Sequence, residues 1–121
     1  MANPISWFEI YVQDMDRARR FYETVLEVKL QRLDGDMEYW MFPGEMNAPG
    51  ASGALSRIPG VPSGGNSTLV YFECADCAVE GGRIAAAGGS LHKEKFSIGS
   101  YGFIVLAVDT EGNMFGLHSI K

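Results

Sequence analysis

Two glutamates and one histidine are the side chains of this sequence best suited to proton transfer. Glu9 interrupts the apolar and aromatic run Ile5–Gln13, Glu73 lies near the end of the run Ser67–Cys74, and His118 is close to the C-terminus. A carboxyl group among aromatic side chains tends to have a raised pKa because burial disfavours its charged form, which makes Glu9 a candidate general acid or base. His118 is a second candidate, which could pair with a carboxylate or bind an oxyanion.

Two cysteines, Cys74 and Cys77, lie where a predicted strand passes into a predicted helix. A helix N-terminus can lower a thiol pKa, but Cys74 is expected to be buried beneath the helix, and the surrounding order of elements is not thioredoxin-like. The pair also lacks the second Cys or His pair of a zinc site. A structural role is therefore favoured over a redox role. Two cysteines this close cannot staple a secreted fold, which favours a reducing cytoplasm.

Composition limits the classes of partner. The chain has 121 residues, enough for one domain and too few for two independent cores. Ten Lys and Arg residues against fifteen Asp and Glu residues give a net charge of −5. Without a basic block, nucleic acid is not an expected partner. No apolar run approaches the roughly 20 residues of a membrane span, and the first residues lack the basic region of a signal peptide. A cytoplasmic protein without a membrane partner is predicted.

These residues lie on a duplicated pattern of elements. A strand leads through the N-cap candidates Asp14 and Asp16 into an amphipathic helix, and three short β-like runs follow. The same order recurs after a linker, with Asp76 as the second cap. The single domain 1–121 thus divides into module one (about 4–58), a linker (about 59–66) and module two (about 67–121). The predicted strands are Ile5–Gln13, Val28–Leu33, Met37–Phe42, Ala51–Ile58, Ser67–Cys74, Ser90–Phe96, Tyr101–Val108 and Met114–Ile120, and the second helix is Cys77–Ala87.

Two segments resemble the motifs of a known family. Trp7–Ala18, with the sequence WFEIYVQDMDRA, resembles the first motif of the vicinal oxygen chelate superfamily. That superfamily includes glyoxalase I, bleomycin resistance proteins, fosfomycin-resistance enzymes and extradiol dioxygenases. Asp109–His118 resembles its closing Asp-Pro-Asp/Glu-Gly-Asn motif. The resemblance covers nearly the whole chain. It implies an α+β fold in which two βαβββ modules form a cup-shaped mixed sheet, and it implies a homodimer.

The resemblance also implies where a metal would be held in metal-dependent members. The register places the first ligand, usually His, on Trp7, its module-two counterpart on Leu69, and the closing-strand ligand, usually Glu, on Gly116. None of these side chains offers a lone pair to a metal. The remaining position falls near Leu55 or Ser56. We therefore expect no metal cofactor, which disfavours glyoxalase I, extradiol dioxygenase and fosfomycin-type chemistry.

Strand alternation, combined with the family register, predicts the lining of the cup. Gly116 is expected to leave room in it. Arg57 and Lys95 could neutralise an anionic ligand at its rim, but the sequence does not decide this. The helices should cover the opposite faces. The expected aromatic walls and polar groups of the cup are Trp7, Tyr11, Tyr71, Glu9, Glu73 and His118. The expected helix-facing residues are Phe8, Ile10, Val12, Val70, Phe72 and Cys74.

This lining fits a small organic molecule with an apolar or aromatic body. The favoured interpretation is a protein that binds such a molecule without a metal. The alternative is a lyase or isomerase in which Glu9 or His118 moves a proton, with a displaced divalent metal site at Glu9, Glu73 and His118 as one variant. A third interpretation is a structural or regulatory subunit without a ligand. Glu9 could equally be a structural hydrogen-bond acceptor or a dimer contact, and His118 could be exposed.

Overall fold

The computed structural model describes residues 3–45, 47–65 and 68–121. The α+β class and the repeated order of one strand, one helix and three strands are confirmed. The predicted boundary at Asn66 and Ser67 lies outside the described residues. The elements are β1 (Ile5–Tyr11), α1 (Met15–Leu26), β2 (Gln31–Arg32), β3 (Glu38–Met41), β4 (Ser52–Arg57), β5 (Thr68–Glu73), α2 (Cys77–Gly81), β6 (Ser90–Ser97), a 3-10 turn (Gly99–Tyr101), β7 (Phe103–Val108) and β8 (Met114–Ser119).

The chain forms two compact units. The N-terminal unit is Trp7–Thr68, and the C-terminal unit is Leu69–Lys121 together with the described residues up to Ser6. The strand order is β2-β3-β4-β1 in the N-terminal unit and β5-β8-β7-β6 in the C-terminal unit. In both units the first and last strands are parallel neighbours, and the other neighbours are antiparallel. None of the described helices is long and apolar enough to span a membrane.

The register of the N-terminal unit decides which side chains share a face. Ile10, Val12 and Leu55 pack with residues of α1 in one hydrophobic cluster, so this face of the sheet is the helical face. Trp7, Glu9 and Tyr11 alternate with these positions and therefore lie on the opposite face, here called the non-helical face. The prediction that Ile10 and Val12 face the helix is confirmed.

The C-terminal unit follows the same rule. Phe72 and Cys74 pack against a core made by Cys77, Val105 and Leu117, as the alternation of β5 predicts. The opposite positions of β5 carry side chains that pair across to β8, where Tyr71 lies opposite Gly116 and Glu73 opposite His118. The pairs Tyr71–Gly116 and Glu73–His118 therefore lie on the face of the sheet opposite to the one that packs against Cys77 of α2.

Both predicted helix caps are present. The backbone N–H of Arg17 donates to Oδ1 of Asp14 over 3.0 Å, and that of Ala78 donates to Oδ1 of Asp76 over 3.0 Å. Each aspartate has extended backbone angles, as an N-cap requires. The strand-to-helix joint that is duplicated in the sequence is thus built in the same way in both units.

The second helix is shorter than predicted. The sequence indicates a helix as far as Ala87, but α2 ends at Gly81 and the chain continues in turns. The N–H groups of Arg83 and Ile84 donate to carbonyl oxygens three residues back, over 3.0 and 3.4 Å, instead of four. The adjacent Gly82 explains this early end, because glycine loses more conformational freedom in a helix than any other residue.

The second strand is also shorter than the predicted run Val28–Leu33, since β2 contains only Gln31 and Arg32. The start of that run is tied to α1. The N–H of Val28 donates to the carbonyl oxygen of Glu23 over 3.2 Å, and the N–H of Leu30 donates to Oε2 of the same glutamate over 2.9 Å. These amides are therefore used by the helix end and not by a strand ladder.

The closing motif has a structural role in the turn between β7 and β8. Oδ1 of Asp109 accepts the backbone N–H of Glu111 over 2.8 Å and that of Asn113 over 2.9 Å. These backbone hydrogen bonds hold the pKa of Asp109 below its usual range. The motif thus fixes the reversal that places the start of β8 opposite the end of β7.

Candidate functional site

Glu9 is the centre of a small hydrogen-bonded group on the non-helical face of the N-terminal unit. It is only 7% exposed. Nε1 of Trp7 donates to Oε2 of Glu9 over 3.0 Å, and the hydroxyl of Tyr11 donates to Oε1 over 2.8 Å. Residues two apart on a strand share a face, so β1 alone supplies the acceptor and both donors. The carboxyl group is therefore held in a fixed orientation by its own strand.

The environment of Glu9 disfavours its charge. Burial raises the pKa of Glu9, and the hydrogen bonds from Tyr11 and Trp7 offset part of that effect. In the part of the chain that the structure describes, no Lys, Arg or His side chain forms an ion pair with Glu9. Neutral donors thus orient the carboxyl group without supplying a counter-charge.

Two further residues, Ser56 and Tyr39, belong to this face; the sequence indicated Ser56 only as one of two candidates for a family ligand position, and it did not single out Tyr39. Ser56 pairs with Tyr11 on one side and with Tyr39 on the other, so the three side chains form a row across β1, β4 and β3. The Oγ of Ser56 is buried and has no hydrogen-bond partner among the described residues. Burial and the charge of Glu9 raise the pKa of Tyr39 to about 12, which keeps its hydroxyl protonated. The alternation within β3 was the signal that could have assigned Tyr39.

His118 and Glu73 form a second group, in the C-terminal unit. Nδ1 of His118 lies 2.7 Å from Oε1 of Glu73, and Nε2 lies 2.6 Å from the carbonyl oxygen of Tyr101. The same Glu73 oxygen accepts the hydroxyl of Ser6 over 3.0 Å. A carbonyl oxygen can only accept a hydrogen bond, so Nε2 is the donor in its contact with Tyr101.

This geometry gives His118 a structural role. Both ring nitrogens are engaged by acceptors, and the imidazole fastens the 3-10 turn to β5 and β8. The role predicted for His118 as a general acid or base stays a prediction, and in this structure both of its ring nitrogens have partners within the chain. Ser6 and the Tyr101 carbonyl were missed because nothing in the local sequence links them to His118.

Gly116 does not leave a vacancy. A Cβ atom at this position would overlap the ring of Tyr71, which lies across the glycine from the neighbouring strand. Tyr71 itself is 7% exposed. The prediction that Gly116 leaves room in a ligand cavity is wrong, because the ring of Tyr71 already fills that space.

Arg57 and Lys95 are engaged by local partners. Nε of Arg57 donates to the carbonyl oxygen of Gln13 over 3.0 Å. Nζ of Lys95 lies 2.8 Å from Oδ1 of Asp76 and 4.8 Å from the ring centre of Phe103. Among the described residues, Arg57 forms no ion pair with Glu9, and Lys95 forms none with Glu73. Each stabilises the end of an element, and the role predicted for them at the rim of a cavity stays a prediction.

The cysteines lack the environment of a redox pair. Both thiols are free, and Cys77 is fully buried. Burial, with smaller contributions from Glu80 and other neighbours, raises the pKa of Cys74 to about 11. The thiolate is the reactive form, so a thiol with this pKa is inert at neutral pH. This agrees with the structural role favoured by the sequence.

The family resemblance of the sequence implies a divalent metal, and the residues at the matching positions do not fit one. The indole N–H of Trp7 is a donor directed at Glu9, and the position of Gly116 is covered by Tyr71. Among the residues that the structure describes, no group of three or more His, Cys, Asp or Glu side chains could hold a metal ion.

Replacing Glu9 with glutamine is expected to change how stability depends on pH. Because the pKa of Glu9 is raised by folding, its proton stabilises the folded state fully below about pH 4.5, and this contribution is lost as the pH rises through the folded-state pKa. The variant Glu9→Gln would keep the shape of the side chain without this loss. The free energy of unfolding of the variant, relative to the original protein, should therefore increase with pH above that value. Urea denaturation at several pH values measures it, and parallel curves would contradict the expectation.

Comparisons with known proteins find one match in sequence and several similar structures. A family model described as bleomycin resistance protein-like N-terminal matches residues 5–44. No curated protein matches the chain in sequence. A variant of Streptomyces coelicolor methylmalonyl-CoA epimerase, in complex with 2-nitronate-propionyl-CoA, superposes with a TM-score of 0.72 at 18% identity and covers 98% of both chains.

Two other solved structures are similar. Methylmalonyl-CoA epimerase from Mycobacterium tuberculosis gives a TM-score of 0.70 at 16% identity, covering 98% of this chain and 88% of that chain. A glyoxalase/bleomycin resistance protein/dioxygenase superfamily member from Vibrio splendidus gives 0.67 at 19% identity, covering 95% and 97%. At identities this low, the likeness shows a shared fold, and it carries no information about activity. The chain therefore shares the fold of these solved structures, and its residues 5–44 resemble the bleomycin resistance protein-like N-terminal family.

Proposed function

We propose that this protein binds a small organic molecule with an aromatic or other planar body, and that it does so without a metal ion. The observation that carries the proposal is the buried carboxyl group of Glu9, oriented by Trp7 and Tyr11 on the non-helical face. Small-molecule sites combine apolar and aromatic walls with a few fixed polar groups. Trp7, Tyr11 and Tyr39 are half-buried, so their rings retain surface that a ligand can cover.

The chemistry of two residues supports a function without a metal. Trp7 and Gly116, which stand at the family's ligand positions, offer no lone pair to a metal ion. Binding in this proposal depends on shape, aromatic contact and one carboxyl group, and not on Lewis-acid chemistry.

A nuclear magnetic resonance titration tests the proposal. The chain has two tryptophans, and both indole N–H groups donate to a glutamate two residues away: Trp7 to Glu9 on the non-helical face, and Trp40 to Glu38 on β3 over 3.3 Å. With a chelator present, we expect at least one of three planar probes, benzylammonium, benzyl alcohol or benzoate, to shift the indole N–H signal of Trp7. The Trp40 signal should stay in place, because its ring lies in the α1 cluster under the guanidinium of Arg19.

Two results of this titration would contradict the proposal. If none of the three probes moves the Trp7 signal at millimolar concentration, the non-helical face is not a binding surface for planar molecules. If binding is seen only without the chelator, the function depends on a metal and the metal-independent form of the proposal is wrong.

A second candidate function is proton transfer by Glu9, as in a lyase or isomerase. It is favoured by the raised pKa of Glu9, which lets this carboxyl group carry a proton nearer neutral pH. The similar fold of methylmalonyl-CoA epimerases makes methylmalonyl-CoA a sensible first substrate. The binding proposal predicts no uptake of deuterium when that thioester is incubated with the protein in heavy water. Uptake that Glu9→Gln abolishes and Glu38→Gln retains would favour the enzyme.

The homodimer and the cytoplasmic location are part of the same proposal. The family resemblance supports a dimer for a chain of this length, and the free thiols of Cys74 and Cys77 are consistent with a reducing compartment. Neither nucleic acid nor a membrane is a partner in this proposal, in keeping with the net charge of −5. Light scattering of the purified protein measures the dimer directly.

A further inference from the structure

Glu9 has no positively charged partner among the described residues. Within the described ranges, its two carboxyl oxygens accept hydrogen bonds from neutral groups, the indole of Trp7 and the phenol of Tyr11. No ion pair to Glu9 is formed by any described Lys, Arg or His. A buried carboxylate without a positive partner is costly, so it either takes up a proton or gains a cation from outside. Each oxygen of a carboxylate can accept more than one hydrogen bond, so capacity for a further donor remains.

The side chains that surround Glu9 on the non-helical face are mainly aromatic. Three aromatic side chains share its face, namely Trp7, Tyr11 and Tyr39. The faces of aromatic rings carry negative electrostatic potential and attract organic cations. The buried Oγ of Ser56 lies between the two tyrosines and has no hydrogen-bond partner among the described residues, so the same face carries a second buried polar group.

The position of Arg57 argues against an anionic ligand on this face. Arg57 is the last residue of β4. Strand alternation puts it on the same face as Leu55, which is the helical face, and its Nε donates to the carbonyl oxygen of Gln13. Arg57 is therefore not available to an anionic ligand on the non-helical face of the described N-terminal unit. The net charge of −5 also raises the local concentration of cations around the protein.

We propose that the ligand of this face is an organic cation, an ammonium or amidinium group on a planar apolar body, whose N–H groups pair with the carboxylate of Glu9 while its body lies against Trp7, Tyr11 and Tyr39. This inference rests on the proposed binding function and adds the charge of the ligand. The buried carboxylate gains its counter-charge only when the ligand is present, so Glu9 selects for cations as well as anchoring them.

The three probes of matched size decide the charge. In the same titration at neutral pH, we expect benzylammonium to bind about tenfold more tightly than benzyl alcohol, the order of magnitude for one ion pair with aromatic contact, and benzoate to bind most weakly. In Glu9→Gln the preference for benzylammonium should fall to near equality with benzyl alcohol. The matched control Glu38→Gln, which alters the carboxylate beside the other tryptophan, should keep the preference.

Each contrary outcome has a distinct meaning. If benzyl alcohol or benzoate moves the Trp7 signal as tightly as benzylammonium does, the cation assignment is overturned while the binding function stands. If no probe moves that signal, both fail. A preference for benzylammonium that persists in Glu9→Gln overturns the role of Glu9. Should Glu9→Gln not fold, the ratio of affinities measured on the original protein still decides the charge of the ligand.

Discussion

Replacing Gly116 with alanine is expected to lower the free energy of unfolding by about 2 kcal/mol, the usual cost of forcing an extra carbon into a packed region. The added Cβ would overlap the ring of Tyr71, which lies across the glycine between β5 and β8. The ring is 7% exposed and cannot move aside without losing its packing. Urea denaturation followed by fluorescence measures the loss.

A matched substitution and a double variant identify the cause. Gly44→Ala adds the same carbon where the nearest atom, Oγ of Ser52, is 3.8 Å away, and it should be close to neutral. In the double variant Tyr71→Ala with Gly116→Ala, the alanine at 116 should cost little beyond the loss of the ring. If the two single losses simply add, the ring and the glycine are not coupled and this account of Gly116 is wrong.

Truncation of Leu55 to alanine should be the most destabilising single change in the N-terminal unit, at about 3 kcal/mol. Leu55 is fully buried and packs with Val12, Met15 and Leu30 beneath α1. It also holds β4 against the helix and so positions its neighbour Ser56 on the non-helical face. Removing three carbon atoms there leaves a cavity that the surrounding side chains only partly fill.

The same change at the surface is the control. Leu26 is 52% exposed at the end of α1, so Leu26→Ala should change the free energy of unfolding by no more than about 0.5 kcal/mol. Both variants are compared by the midpoint and slope of urea denaturation. Equal effects of Leu55→Ala and Leu26→Ala would contradict the position of Leu55 in the core.

Local patterns were sufficient for much of the fold and for one half of the candidate site. Asp14 and Asp76 predict their helices because an aspartate cap acts on the next few residues. Trp7, Glu9 and Tyr11 could be assigned to one face because a strand alternates strictly. Their mutual hydrogen bonds follow from the same spacing of two residues.

Contacts between distant segments were beyond that reasoning. Tyr71 fills the space over Gly116 because of its rotamer and the β5–β8 register, and neither is written in the local sequence. His118 is bound by a backbone carbonyl seventeen residues away, which any residue type could supply. The partner of Arg57 is also a backbone carbonyl oxygen, that of Gln13, so its residue type gave no signal in the sequence either. The end of α2 depended on a balance of glycine cost against packing, which a pattern does not weigh.

The stacking of Tyr71 on Gly116 also constrains how the sequence can evolve. Gly116 is the position at which the family resemblance places a metal-binding glutamate on the closing strand. Any side chain introduced there meets the tyrosine ring first, so one substitution cannot place a carboxylate at this point without displacing the ring. A smaller residue 71 would have to come first, through an intermediate that has lost a large buried aromatic ring. This strand pairing therefore keeps residue 116 a glycine for as long as residue 71 is a tyrosine.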